Sequence, residues 1–313
     1  MTTQHSAHTG AQQLHTTPSR RKLVNLFRQR PLTSFFVLAN LLSWVTWTPY
    51  ILSLNGVGAW GFRFPEILGT SQLLGVLPGA YIGPIGSAFL LTAVIDGRQG
   101  LKAWMGRLLR WRAAPIWYLI AVLAVPAGMV LTGLAFSAGN IIAPSVAVLA
   151  AYLPMLAFQF ITTGLAEEPG WRDFALHRLQ KVHSPLKSAF ILGPLWTVWH
   201  LPLFLTEWGG YPDASWVRLA AFSVFCCSFN IVMSWVFNRT GESLPLSMLM
   251  HVSANNFASV MWSEIFPTLE GDGDLMWTAM AMGSTVAAIL IVVTTKGRLG
   301  YHPVENAPGQ DLR

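Results

Sequence analysis

Residues 115–136 read PIWYLIAVLAVPAGMVLTGLAF, an unbroken run without one charged side chain. At 1.5 Å per residue a helix of this length covers roughly 30 Å, the thickness of a bilayer's hydrocarbon core. In lipid each unpaired backbone N–H or C=O costs several kcal/mol, so an apolar run of this kind closes its hydrogen bonds as a helix. Comparable runs lie on both sides of it. They are Ser34–Leu54, Leu73–Ile95, Ser145–Leu165, Ser188–Leu205, Val217–Phe237, Ser243–Trp262 and Met276–Thr294. With Pro115–Phe136 they predict an all-α, polytopic membrane helix bundle of about eight transmembrane helices.

The composition agrees. Of 313 residues, 53% are hydrophobic and only 11% charged, where a soluble domain carries about 25% charge. Two adjacent cysteines, Cys226 and Cys227, exclude a disulfide framework and a thiolate metal cage. The net charge of +6 is a matter of topology. All but Arg63 and Arg218 of the 20 basic residues fall on one side of the predicted spans, and Glu264, Glu270, Asp272 and Asp274 fall on the other. That asymmetry puts both the N- and C-termini in the cytoplasm and makes membrane lipid, with no nucleic acid, the expected surroundings. Residues 1–30 read as a mobile basic N-terminal tail, 31–298 as a single transmembrane domain and 299–313 as a C-terminal tail. No cleavable signal peptide is expected, because the first apolar run is too long and too far from Met1.

Two further patterns are structural. Between Arg98 and Arg112, the residues Leu101, Trp104, Met105, Leu108 and Leu109 recur at helical spacing among basic side chains, the pattern of an amphipathic helix lying on an anionic membrane face. Gly75, Gly79 and Gly83 form a small-residue stripe suited to close helix packing. Gly56, Gly58 and Gly61 match G-x-G-x-x-G, but no strand precedes them and the match carries no meaning.

An ionisable side chain in a bilayer costs a few kcal/mol and needs a reason. Three clusters stand out: Glu167-Glu168-Pro169-Gly170-Trp171-Arg172, Trp196-Thr197-Val198-Trp199-His200 and His251-Val252-Ser253-Ala254-Asn255. His251 and Asn255 are four residues apart and share a helix face, as do Trp196 with His200 and Glu168 with Arg172. Glu167 has no partner within its own turn. Adjacent carboxylates in different surroundings can take different roles, one a charged strut and the other a proton acceptor. Pro169 predicts a kink or break beside the pair. Counting from the span ends puts His251 about 12 Å deep and His200 about 18 Å deep, with Glu167 nearer the surface. Either its span continues deeper or water reaches it from the cytoplasm. Each cluster alone also has a plainer reading: the Glu167-Glu168 pair as a solvated helix terminus, and the histidines and Asn255 as interhelical hydrogen bonders, as Gln159, Asn40 and Asn230 are read.

Taken together, EEPGWR, WTVWH and HVSAN resemble the motifs of the CAAX-processing and bacteriocin-immunity intramembrane proteases, the type II CAAX prenyl endopeptidase-like family. The flanking Leu201-Pro202-Leu203 and Ser243-Leu244-Pro245 resemble its bacterial branch. The resemblance spans about residues 30–295, its specific part about 165–260. It implies a multi-pass cell-membrane endopeptidase acting on a peptide or membrane-protein substrate, lipidated or not, near the cytoplasmic face. Carried over by motif, Glu167 is the general base and His200 orients the water. His251 and Asn255 hold the oxyanion, and Glu168, Arg172 and Trp196 brace the site. Asp173 departs from the pattern and offers Arg172 a second carboxylate. No cofactor is expected. The alternative is a zinc enzyme with Glu167, His200 and His251 as ligands, although H-E-x-x-H is absent. A non-catalytic scaffold or immunity factor of the same family is a further alternative, as is a transporter, although no repeat relates the halves.

Overall fold

The computed structural model describes residues 18–302. Ten helices follow one another, and no strand occurs among the described residues. They are α1 (Pro18–Gln29), α2 (Pro31–Leu52), α3 (Gln72–Ile95), α4 (Gly97–Leu108), α5 (Pro115–Phe136), α6 (Val146–Leu179), α7 (Pro185–Leu205), α8 (Trp216–Arg239), α9 (residues 244–265) and α10 (Gly273–Thr295). Seven of them, α2, α3, α5, α6, α7, α8 and α10, are long and apolar enough to cross a membrane, and the chain is a multi-pass membrane protein.

The remaining expected span, Ser243–Trp262, is α9, whose hydropathy is lowered by His251, Ser253, Asn255 and Asn256. It runs the same course as the others. At its start Ser243 Oγ donates to Arg110 O over 2.6 Å, and at its end Ile265 O accepts from Ile142 N over 3.0 Å. Arg110 and Ile142 lie beyond opposite ends of α5. Lipid does not have to accept the polar face of α9, because α5, α6 and α8 enclose it.

Side-chain bonds tie the connections together at each end. At one end Arg107 pairs with Asp173, Arg178 with Asp96, His177 with Glu242 (2.7 Å), and Gln180 with Asn238 (3.0 Å). At the other, Arg63 meets Glu207 (3.2 Å) and Arg218 meets Asp274 (2.9 Å). The glycine stripe faces α2, as its spacing predicts: a Cβ on Gly75, Gly79 or Gly83 would strike Tyr50, Trp47 or Ser43 respectively.

Three expectations change. The span drawn as Ser145–Leu165 continues to Leu179, which sets Glu167 inside a helix rather than near its end. Pro169 does not break that helix. The backbone widens into a π turn over Pro169–Leu176, and the altered hydrogen-bond register accommodates the missing proline N–H. Residues 18–29, read as part of a mobile tail, form α1, which lays Phe27 against the core. The chain after α10 also begins packed: Leu299 is fully buried and its carbonyl accepts from Asn238 Nδ2 over 3.1 Å. Residues 1–17 and 303–313, the rest of the expected tails, lie outside the described residues.

Candidate active site

The three polar clusters meet inside the bundle, carried by α6, α7 and α9. Each has an irregular turn beside it. Leu165–Glu168 is a short α stretch between π turns at Phe160–Gly164 and Pro169–Leu176, and another π turn, Phe257–Met261, follows Asn255. After His200 the helix tightens to a 3₁₀ turn over Leu201–Leu205. Such insertions rotate the side chains on either side relative to a regular helix. The close approach of α6 to α3 depends on Gly170, where a Cβ would come to 2.8 Å from the backbone carbon and oxygen of Pro84. Pro84 itself sits in the π turn Tyr81–Ile85 of α3.

Glu168 is fully buried and saturated. Its Oε2 accepts from Arg172 Nε over 2.9 Å and its Oε1 lies 2.8 Å from His251 Nδ1. Arg172, also fully buried, donates through Nη1 to Asn230 Oδ1, and Asn230 Nδ2 donates to Ala189 O over 2.5 Å. This chain joins α9, α6, α8 and α7 through charge-assisted bonds, which suits a low-dielectric interior where an unpaired charge would be costly. Asp173 does not compete for Arg172, because its carboxylate is taken by Arg107 of α4. The strut pair is therefore Glu168–Arg172.

Glu167 is differently placed. Its Oε2 accepts the indole N–H of Trp196 over 2.8 Å, and its Oε1 has no hydrogen-bond partner among the described residues. The Trp196 ring is flanked by both imidazoles, His200 at 5.5 Å and His251 at 5.3 Å between centroids. His200 Nδ1 lies 2.8 Å from Trp196 O. A carbonyl only accepts, so Nδ1 carries the proton and a neutral ring presents a lone pair at Nε2. Trp199, Phe222 and Trp208 enclose the rest of that ring, Trp208 stacking at 5.4 Å. In His251, Nδ1–H is committed to the Glu168 carboxylate, so Nε2 donates a hydrogen bond only when the ring carries both protons. The Asn255 side chain makes no hydrogen bond among the described residues, whereas its neighbour Asn256 is fully buried, accepting from Gln159 and donating to Tyr152 O.

The structure thus brings Glu167, Trp196, His200 and His251 around one indole, and Glu168 and Arg172 behind them. Among the described residues no three His, Cys, Asp or Glu side chains stand close enough to hold a metal ion. The zinc set Glu167, His200 and His251 therefore has no geometric support. Asn230, read from sequence as helix glue, is part of the site's frame. A lone amide in an apolar span carries no mark of which helix it faces, so only the assembled bundle reveals its bond to Arg172.

Two comparisons bear on this arrangement. Residues 149–257 match the family model described as Type II CAAX prenyl endopeptidase Rce1-like. The chain is also 23% identical over 223 residues to CAAX prenyl protease 2 of Methanococcus maripaludis, covering 66% of this chain and 78% of the relative. Both matches agree with the resemblance carried by the three motifs, every one of which lies within 149–257. Over residues 149–257, the segment that carries its site, the chain is similar to the Rce1-like type II CAAX prenyl endopeptidases.

Proposed function

We propose that the protein is an intramembrane glutamic endopeptidase of the cell membrane that hydrolyses a peptide bond near the cytoplasmic face without a metal. The observation that carries this reading is the set of uncommitted heteroatoms on α6, α7 and α9. Glu167 Oε1, His200 Nε2, His251 Nε2 and the Asn255 amide have no partners among the described residues, while the opposite atoms of the first three residues are all held. Isolated unpartnered polar atoms occur elsewhere in the bundle, but free atoms on polar side chains of three adjoining helices, anchored at the opposite atom in three of the four cases, suit a ligand better than packing.

In this mechanism a water donates one hydrogen to Glu167 Oε1 and the other to His200 Nε2. Its oxygen attacks the scissile carbonyl carbon as Glu167 takes the proton. The carbonyl π electrons move to oxygen, and the oxyanion accepts hydrogen bonds from Asn255 Nδ2 and from His251 Nε2–H of the doubly protonated ring. Glu168 balances that charge, and Arg172 and Asn230 hold Glu168. The intermediate collapses by breaking the C–N bond, and Glu167 returns its proton to the departing amine. Preorganised donors at an oxyanion supply about 3 kcal/mol each. The name of the archaeal relative makes lipidated C-terminal peptides the first substrate class to assay.

The test uses purified protein and a quenched peptide library, comparing wild type with Glu167→Gln, each with and without chelator. Loss of cleavage in a folded Glu167→Gln, with wild type indifferent to chelator, is the expected result. Retained turnover in Glu167→Gln removes it as the base. Loss on chelation with recovery on adding zinc overturns the metal-free mechanism.

A further inference from the structure

Packing explains why Trp196 is large and apolar, but it does not explain where its N–H points. Trp104, Trp171 and Trp262 are buried with indole nitrogens that have no partner, so this bundle tolerates an unsatisfied indole. Trp44 and Trp47 donate to backbone carbonyls and Trp199 to the Ser43 hydroxyl. Among the described residues Trp196 is the tryptophan that donates to a carboxylate, and that carboxylate is Glu167.

One donor on Oε2 has a definite consequence. A carboxylate with no bonds turns about its terminal torsion, which is broad and roughly two-fold, and offers either oxygen. With Oε2 held at 2.8 Å by a ring itself 2% exposed and wedged between two imidazoles, the carboxylate plane is set. Oε1 is then the oxygen left to face a water. The Trp196 carbonyl meanwhile selects the His200 tautomer, but any residue supplies a carbonyl. Only the indole supplies the N–H.

We propose that Trp196 is a positioning residue for the hydrolysis, its indole N–H holding Glu167 Oε2 so that Oε1 accepts the proton of the attacking water. This rests on the glutamic-protease reading above. Trp196→Phe isolates the effect, because it keeps an aromatic ring between the imidazoles and the backbone carbonyl to His200 and removes the donor. A bond to a charged group lost from a reacting carboxylate lowers kcat roughly 10- to 100-fold, while KM stays within about twofold, since a side chain only 2% exposed offers substrate little surface.

A second readout needs no turnover. In protein labelled with ¹⁵N at the indole nitrogens, the Trp196 N–H resonance, assigned by its absence in Trp196→Phe, moves in Glu167→Gln and stays fixed in Glu207→Gln. An unchanged kcat in Trp196→Phe, or a resonance indifferent to Glu167→Gln, overturns the proposal. Should Trp196→Phe fail to fold, the wild-type and Glu167→Gln spectra decide alone: a shifted indole resonance sustains the bond and an unshifted set overturns it. Full activity of Glu167→Gln alongside a shifted resonance sinks the protease mechanism while leaving the hydrogen bond standing, so the two failures are separable.

Discussion

Asn255 and Asn256 are adjacent amides with opposite circumstances. Asn256 is fully buried and bonded to Gln159 and to the Tyr152 carbonyl; Asn255 is half-buried, and its side chain has no partner among the described residues. Asn256→Ala should therefore cost about 1–3 kcal/mol of stability by orphaning buried groups, seen as a lowered melting temperature in detergent. Asn255→Ala should leave that temperature unchanged and lower turnover by roughly 10²–10³ if its amide serves the oxyanion; a change under threefold would refute the role. The spacing His251-x-x-x-Asn255 singles out Asn255 rather than Asn256, because i and i+4 share a face. What spacing could not convey was that Asp173 belongs to Arg107 and not to Arg172, since that pairing depends on where α4 comes to rest.

Helix α6 shows how a whole element serves a few atoms. Its 34 residues exceed the roughly 20 that span hydrocarbon, and its C-terminal part is bonded to the elements around it. Asp173 holds α4, Arg178 holds Asp96, and His177 holds Glu242 in the connection between α8 and α9. The last of these gives a pH signature. Burial opposes ionisation of Glu242, but the hydrogen bond and charge of His177, with Arg107 and Arg110 nearby, outweigh it and keep the carboxyl below the usual glutamate range. A group whose folded pKa is depressed stabilises the fold above its unfolded pKa, and that stability disappears as pH falls through the folded value. Wild type should therefore melt above Glu242→Gln at pH 7, and the gap should close below about pH 4. A gap independent of pH would mean the ion pair contributes nothing. The length of α6 was hidden in the sequence because Glu-Glu-Pro-Gly looks like a helix end. A π turn that absorbs the proline leaves no compositional trace.

For the whole molecule, the alternation of ends is the property that charge counting reads best. The bonds gather Asp96, Arg107, Arg110, Asp173, Arg178 and Glu242 at one end of the bundle, and Asn55, Arg63, Glu207, Arg218 and Asp274 at the other. A single misplaced span would have scattered these contacts between the ends, so the sequence's division of basic residues and the folded connections support each other. The division could not reveal how each end is closed. Glu207 on α8's entry side, for example, accepts from Tyr50, Asn55, Ser71 and Arg63, donors that stand 136 to 157 positions away from it in the chain and share no motif with it. Orientation follows from the excess of Lys and Arg, which stays with the cytoplasm, and the end that carries α4 should lie there. Cys226 and Cys227 are free thiols, so the experiment starts from a background with both replaced by alanine. Single cysteines are then introduced as Arg98→Cys on α4 and Arg63→Cys at the opposite end. In intact cells an impermeant maleimide should label Arg63→Cys and spare Arg98→Cys until the membrane is opened. The reverse pattern would invert the protein and put Glu242 outside, and with it the expectation that cleavage occurs toward the cytoplasm. Labelling of both in intact cells would mean the two ends share a side, which an odd number of crossings between Arg63 and Arg98 forbids; that result would remove α3 as a span.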